Sequence, residues 1–174
     1  LPSEEVSDVI QKHLNYFPAI EEAAEKVARD ARLNPADAWP GLARYLEKTF
    51  GVEIVITSGA DARVIRRYDP EKRKLHLSEI LPPRTRNFQL AHQIGLFSAA
   101  SVFSRITASA RLTTPGSAAL CRIALANYFA GALLMPYAAF YESACALRYD
   151  IELLGHRFRT SFEQVCQRLT TLRR

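Results

Sequence analysis

The sequence predicts an α+β domain that is mostly helical and carries a small antiparallel β-meander. Apolar residues recur at helical spacing towards both ends of the chain, whereas residues 52–78 show the short β-branched runs of strands. A chain of 174 residues that is 48% hydrophobic can fill one core but is short for two domains. We therefore expect residues 1–174 to form a single domain.

Three helices are predicted before the strands. Ser3 can cap the first helix, and the second follows Pro18, which suits the first turn of a helix. The Asn34-Pro35 pair separates the second helix from the third, because the residue before a proline avoids the helical region. The third helix begins at Trp39 and ends before Gly51.

Three short strands are predicted after the third helix, at residues 52–57, 63–68 and 74–78. Asp69-Pro70-Glu71-Lys72 has the composition of a turn between the last two strands. Because strands joined by short connections usually pair with their neighbours in sequence, these strands predict an antiparallel meander.

Helices are predicted from residue 83 to the end of the chain. A proline-marked loop at residues 81–84 leads into a long helix that carries His92. Gly116-Ser117 caps the next long helix, and Asp150 and Ser161 cap two short final helices.

The segment Ile123–Tyr141 contains no charged residue, which raises the alternative of a membrane span. Asn127 inside the segment and Pro136 near its end favour a buried pair of core helices with a hinge at Met135-Pro136. We therefore expect no contact with a membrane.

Residues His92 to Leu96 have the outline of a zinc-protease helix without its chemistry. In an H-E-x-x-H helix, the two histidines hold zinc and the glutamate accepts a proton from the metal-bound water. Here Gln93 stands at the base position and Leu96 at the second ligand position. A neutral amide is not a carboxylate base, and leucine has no lone pair. We expect no catalytic residue and no metal site, with His92 as a hydrogen-bonding or packing residue.

Two helix motifs resemble those of the ImmA/IrrE peptidase-like family. Residues 86–95, RNFQLAHQIG, are similar to "R-x-F-x-x-A-H-E-x-G-H", and residues 126–136, ANYFAGALLMP, are similar to "A-N-x-F-A-x-x-L-L-M-P". In that family a glutamate three residues before the second motif is the third zinc ligand, and Ile123 occupies this position here. The resemblance implies an ImmA/IrrE-like fold with a degenerate zinc site.

Segments near the two ends narrow the resemblance to the short-chain fatty acyl-CoA regulators, with the propionate-utilisation regulators as the nearest branch. These segments are residues 15–18, 23–25, 149–158 and 161–169. The resemblance implies a cytoplasmic transcription regulator of short-chain fatty acid and propionate catabolism, in which this chain binds a short-chain acyl-CoA, propionyl-CoA above all. It also implies an N-terminal helix-turn-helix domain that binds DNA and a C-terminal cysteine-bearing region with an iron–sulfur cluster, both outside residues 1–174.

The start of the sequence is typical of a fragment from the middle of a longer protein. Leu1 is not methionine, and no charged-then-apolar signal segment precedes the first helix. We therefore expect this chain to be cut from a longer protein.

Basic residues crowd the predicted hairpin and the loop that follows it. Lys and Arg outnumber Asp and Glu by 23 to 18, which gives a net charge of +5. Coenzyme A carries a pyrophosphate and a ribose phosphate, and arginine suits phosphate oxygens because it can donate two parallel hydrogen bonds. We expect the phosphates to contact Arg63, Arg66, Arg67, Lys74, Arg84, Arg86 and Arg44. For each residue the alternative is a solvated rim that keeps the domain soluble.

Aromatic residues stand beside small ones along the same helices, a mixture that can line a narrow tunnel. We expect the acyl and pantetheine part of the ligand to bind in a pocket formed by Tyr16, Phe17, Phe88, His92, Phe97, Tyr128 and Phe140. For most of these rings the alternative is a place in the hydrophobic core.

Two other functions remain open. Residues 153–169 have the apolar-turn-apolar pattern of a helix-turn-helix, which would make the chain a DNA-contacting module. Phe162-Glu163 at the start of the would-be recognition helix argues against this. The other alternative is a dimerisation module without a small-molecule ligand. We also expect a homodimer, since the helices after Ala110 have apolar surface to spare.

The cysteines Cys121, Cys145 and Cys166 are odd in number and far apart in sequence. This spacing suits neither a disulfide framework nor a C-x-x-C metal site. We expect three buried, reduced thiols in a cytoplasmic protein.

Overall fold

The computed structural model describes residues 1–173, in which helices surround a short three-stranded sheet. The helices of this part of the chain are α1 (Pro2–Lys12), α2 (Pro18–Ala31), α3 (Trp39–Phe50), α4 (Pro83–Ser98), α5 (Ala100–Ser109), α6 (Pro115–Leu134), α7 (Tyr137–Ala146), α8 (Ile151–Phe158) and α9 (Phe162–Leu169), with a 3-10 helix at Gly59–Arg63. The strands are β1 (Glu53–Thr57), β2 (Arg66–Asp69) and β3 (Lys74–Ser78). The mostly helical α+β class is confirmed.

Several predicted helix ends are confirmed. α2 and α3 begin with a proline in their first turn, and Gly51 ends α3 in the left-handed region at φ 65°, where glycine carries no steric penalty. Asp150 and Ser161 cap α8 and α9, because their side chains accept from the backbone N–H groups of Leu153 at 3.0 Å and Gln164 at 3.2 Å.

Two predicted caps are wrong. α1 begins at Pro2, so Ser3 lies inside its first turn rather than before it. At the start of α6, Thr114 is the cap and accepts from the backbone N–H of Ser117 at 3.1 Å. Proline in the first turn moves both helix starts towards the N-terminus relative to the predictions.

The sheet is mixed, so the predicted antiparallel meander is wrong. β1 pairs with β3 in parallel, and β2 pairs with β3 in antiparallel, in the order β1-β3-β2. The second strand was predicted to begin at Arg63 but begins at Arg66. Arg63 instead ends the 3-10 helix, and Val64 and Ile65 are exposed. The segment between β1 and β2, which contains the 3-10 helix, carries the chain to the far edge of the sheet. β3 then returns to the centre, where its leucines are fully buried.

α6 is the central helix and packs against α1, α2, α4, α5 and α9. Its crossing with α4 is close because Gly95 has no side chain, and a Cβ there would lie 2.6 Å from the ring of Phe129. Within the described residues, α6 alone has the length and hydropathy of a membrane span. Half of that window is buried inside the domain, so packing in the core accounts for its apolar character.

The predicted hinge at Met135-Pro136 is confirmed, since these residues separate α6 from α7. Beyond the hinge, α7 to α9 form a smaller apolar core around Met135, Phe140, Leu154 and Phe158. The prediction of three buried cysteines is wrong for Cys145, which is exposed; Cys121 is buried and Cys166 half-buried. All three thiols are free.

Candidate functional site

His92 lies on the inner face of α4 and is 3% exposed. With the amide oxygen of Asn127 as acceptor, His92 Nδ1 carries the proton and donates to Asn127 Oδ1 at 2.7 Å. Its Nε2 has no hydrogen-bond partner within residues 1–173. Burial, helped by the positive charge of Arg66, lowers the pKa of His92 to about 4. The imidazole is therefore neutral at pH 7.

The residues around His92 do not fit a zinc ion. Leu96 is half-buried beside it, and the side chain of Ile123 is 49% exposed. No group of three or more His, Cys, Asp or Glu residues within the described chain could hold a metal ion. Hydrocarbon side chains at two of the three ligand positions leave His92 as a hydrogen-bonding residue.

Arg66 of β2 contacts the position where the motif would carry its base. Its Nη1 donates to Oε1 of Gln93, and its Nε donates to Oε1 of Gln89 at 3.2 Å. Burial lowers the pKa of this guanidinium, which forms no ion pair with any carboxylate of the described chain. A cationic side chain therefore lies next to the degenerate metal site.

A cavity of about 390 Å³ opens on the other side of the His92–Asn127 hydrogen bond. Its wall comes from α1, the α1–α2 connection, α4, α6, α9 and the residues after α9. The lining residues are Ile10, Asn15, Phe17, Phe88, Ala124, Leu125, Asn127, Tyr128, Gly131, Glu163, Gln164, Gln167, Arg168, Thr170 and Thr171. Of the seven predicted pocket residues, the structure brings Phe17, Phe88 and Tyr128 together here.

Three predicted pocket residues lie elsewhere. Tyr16 lies outside the cavity wall and packs edge-on against Tyr137, with 5.4 Å between the ring centroids. Phe97 packs against Phe50 and Tyr68, between α3 and the sheet, and Phe140 belongs to the smaller core. The core alternative fits the positions of Phe97 and Phe140, whereas Tyr16 is half-buried and belongs to neither core.

None of the seven basic residues predicted to bind phosphates lines the cavity. Arg44, Arg63 and Arg67 are exposed, and Arg66 and Lys74 are half-buried in the sheet. Arg84 donates to the carbonyl of Thr160 at 2.9 Å, and Arg86 donates to the carbonyls of Glu79 and Leu81 at 3.3 and 3.1 Å. Phosphate contacts of these residues stay a prediction.

A buried charged network that was not predicted from the sequence lies behind the cavity. Arg168 is 2% exposed and donates to both carboxylate oxygens of Glu21, at 2.7 and 2.8 Å, and to the carbonyl of Met135 at 3.0 Å. The hydroxyl of Tyr128 donates to Glu21 at 2.5 Å, and burial together with Glu21 raises the pKa of Tyr128. The spacing of three residues between Val165 and Arg168 places both on the same face of α9, and this was the sequence signal for a buried arginine.

The polar groups of the cavity wall are mostly neutral. Asn15, Asn127, Gln164 and Gln167 carry amides, the threonines carry hydroxyls, and Glu21 neutralises Arg168. Glu21 does not itself line the cavity, and the carboxyl among the lining residues is that of Glu163, which is exposed. Such a wall suits a neutral chain with an apolar end and hydrogen-bonding groups along its length. It does not suit a buried phosphate.

α9 packs onto its own domain. Val165 and Arg168 are buried, and Arg168 is paired with Glu21 of α2. One face of α9 is therefore used for packing and for the cavity wall, which argues against α9 as a recognition helix.

Comparison with known proteins agrees with this fold. A family model described as the IrrE N-terminal-like domain, Peptidase_M78, matches residues 47–170. The chain is 38% identical over 174 residues to the HTH-type transcriptional regulator PrpR of Mycobacterium tuberculosis, covering 100% of this chain and 36% of that protein. It is 35% identical over 178 residues to the propionyl-CoA carboxylase regulator of Cereibacter sphaeroides, covering 99% of this chain and 36% of that protein.

A solved structure of a Mycobacterium tuberculosis transcriptional regulator superimposes with a TM-score of 0.92 and 39% identity. The match covers 100% of this chain and 53% of that one. The chain thus spans about a third of the length of the curated relatives it matches. These similarities confirm the resemblance predicted from the two helix motifs.

Proposed function

The chain belongs to the IrrE N-terminal-like domain family, and from that premise we propose that it is the ligand-sensing domain of a transcription regulator. The ligand is a short-chain acyl-CoA, with propionyl-CoA as the first candidate. Binding controls genes of short-chain fatty acid catabolism in the cytoplasm. DNA is bound by a helix-turn-helix domain outside this chain, and an iron–sulfur cluster belongs to a further region outside it.

The cavity is the observation that carries this proposal. Its volume of about 390 Å³ lies in the range of small-molecule sites, and the rings of Phe17, Phe88 and Tyr128 supply apolar surface for an acyl chain. Amide and hydroxyl side chains match the hydrogen-bonding groups of a pantetheine arm. The neutral wall leaves the phosphates of the nucleotide outside the cavity, where the basic surface can bind them.

The relatives support the regulatory part of the proposal. They are transcriptional regulators, and one is named for propionyl-CoA carboxylase, which makes propionyl-CoA the reasonable first ligand to test. The family is peptidase-like, yet Gln93, Leu96 and Ile123 replace the base and two ligands. We propose that the domain does not hydrolyse peptides.

Calorimetric titration with propionyl-CoA, free CoA and a long-chain acyl-CoA tests the proposal. We expect saturable binding of propionyl-CoA, and weaker binding of the long chain because the cavity is small. Phe162→Ala is the matched control, since this ring is 62% exposed and lies outside the cavity wall. Absence of binding to every CoA species, with the fold intact by circular dichroism, would refute the sensor function.

Dimerisation is a second candidate function, favoured by apolar surface on α6. Leu120 and Ile123 lie three residues apart on one face of the helix and are 43% and 49% exposed. We propose that this face contributes to a homodimer at micromolar concentration. Sedimentation should show a dimer that Ile123→Glu converts to monomer; monomer in the unmodified protein would remove the proposal.

A further inference from the structure

Arg66 is a half-buried guanidinium that has no counter-ion within residues 1–173. A guanidinium has five N–H donors. Arg66 uses two of them, on the side-chain oxygens of Gln89 and Gln93, and the other three have no partner within residues 1–173. The ion pairs of that part of the chain do not include Arg66. Its charge is held in place by two amides but is not neutralised.

A partly desolvated charge without a counter-ion is unfavourable, and binding of an anion removes this free-energy cost. Taking a charge out of water is unfavourable unless an opposite charge and hydrogen bonds replace the water. The neighbouring arginines do not share this condition, because Arg63 and Arg67 are exposed. Arg66 is therefore distinct from the other arginines of the hairpin. Arg84 and Arg86 are half-buried without an ion pair as well, but they donate to backbone carbonyls.

His92 supplies an independent observation beside Arg66. It follows Ala91 on α4, directly before Gln93, and is 97% buried with Nε2 unpartnered in the described chain. Buried polar atoms almost always have a partner. Two polar side chains with unused hydrogen-bonding capacity thus lie at the degenerate metal site, since Arg66 donates to Gln93, the residue that follows His92.

We propose that Arg66, held by Gln89 and Gln93, forms a binding site for a small oxyanion, either a carboxylate or a phosphate group. The oxygens of the anion accept from the free N–H groups of the guanidinium and neutralise its charge. When the anion is a phosphate, its protonated oxygen can also donate to His92 Nε2; a carboxylate is held by the guanidinium alone. A fixed cation thereby replaces the lost metal ion as the positive centre of this site.

The identity of residue 93 agrees with this site. A glutamate there, as in the active motif of the family, would pair with Arg66 and leave no charge for a ligand. Glutamine keeps the hydrogen bond and leaves the charge open. Arg66 does not line the cavity, so the oxyanion site stands without the acyl-CoA function, although the His92–Asn127 hydrogen bond connects the two.

The test uses inorganic phosphate and propionate as separate probes, titrated calorimetrically at constant ionic strength. We expect saturable binding of at least one probe, weakened about tenfold or more by Arg66→Gln, which is the usual loss for a charge-assisted contact. Arg67→Gln is the matched control, because it removes the same charge from the exposed face of the same strand. Its affinity should stay within about twofold of the unmodified protein, as for a distant screened charge.

Gln93→Glu is the second variant, since it offers Arg66 an internal carboxylate at the same place. We expect it to abolish probe binding while the circular dichroism spectrum and urea midpoint show a folded protein. Competition with adenosine 3′,5′-bisphosphate identifies the source of the anion. Displacement assigns the site to a nucleotide phosphate, and no displacement assigns it to a free anion; both keep the oxyanion site.

Three results would overturn the proposal. They are no saturable binding of either probe to the folded protein, equal losses in Arg66→Gln and Arg67→Gln, and undiminished binding in Gln93→Glu. None of them would bear on the place of the acyl chain, because the cavity wall does not contain Arg66.

Discussion

Arg168 and Glu21 are 147 residues apart in sequence and form a bidentate ion pair whose side chains are 1% and 7% exposed. The pair ties α9 to α2 behind the cavity. Tyr128 of α6 donates to the same carboxylate, so three helices meet at one buried charged group. The shape of the cavity therefore depends on helices from both ends of the chain.

Glu21→Gln should destabilise the domain by about 3–5 kcal/mol, because it leaves the buried charge of Arg168 without its counter-charge. Urea unfolding followed by circular dichroism measures the loss. The double variant Glu21→Gln with Arg168→Met should recover part of it, since the unpaired charge is then gone. Strict additivity of the two single changes would contradict this account.

The buried His92 should make stability depend on pH between 6.5 and about 4. Its pKa is lowered from 6.5 to about 4 in the folded state, so the unfolded chain takes up the proton first as the pH falls. Stability from this group is complete above pH 6.5 and falls by about 3 kcal/mol as the pH approaches 4.

Urea midpoints of the unmodified protein and of His92→Gln, measured at several pH values, isolate this effect. The difference between the two proteins should change with pH in that window. His156→Gln, on the exposed part of α8, should follow the unmodified protein. A difference that is constant from pH 4 to 6.5 would show that His92 is not buried in its neutral form.

The sequence predicted the fold to the extent that local signals determine it. Prolines in first turns, Asp150, Ser161 and Gly51 act on the adjacent backbone, so the helices they begin or end could be located. The strand order could not, because the pairing of β1 with β3 depends on where the 3-10 helix carries the chain. Two exposed apolar residues, Val64 and Ile65, had suggested a strand there.

The candidate site was predictable in part for a similar reason. Phe17, Phe88 and Tyr128 reach the cavity, whereas Phe97 and Phe140 have the same composition cues and lie in the core. The chemistry of an aromatic ring does not distinguish a residue of the cavity wall from a residue of the core. The Glu21–Arg168 pair joins distant segments. The spacing of Arg168 from Val165 on α9 could indicate its burial but not its partner, which is 147 residues away.

Gly131→Ala should reduce the cavity without disturbing the fold. Gly131 lines the cavity inside α6, and an added Cβ would lie 4.0 Å from Cδ of Arg168, which is ordinary contact. Alanine in a helix interior is favoured over glycine by about 1 kcal/mol, so the protein should become no less stable. Affinity for propionyl-CoA should fall, and the loss should grow with acyl length.

Gly116→Ala is the control for that change, because it makes the same substitution in the first turn of the same helix, outside the cavity wall, where an added Cβ would make an ordinary contact of 3.7 Å with Thr114 Oγ1. Calorimetry on both variants should show a loss only for Gly131→Ala. Equal affinities in the two variants would place the acyl chain outside this cavity.

The domain should neither retain zinc nor cleave peptides. Leu96 and Ile123 provide no ligands, and Gln93 provides no base. Metal analysis of protein purified without added metal should give far less than one zinc per chain, and His92→Ala should leave that value unchanged. Stoichiometric zinc that His92→Ala removes would contradict this expectation.

The central claim is that the acyl end of a CoA thioester lies in the cavity between α4, α6 and α9. Isotope-filtered NMR, with propionyl-CoA labelled with ¹³C in its acyl group, measures this position directly through nuclear Overhauser effects to assigned side chains. We expect contacts from the propionyl methyl group to the rings of Phe17, Phe88 and Tyr128. Contacts confined to the β2–β3 hairpin, or saturable binding without contacts to any of these three rings, would contradict the account.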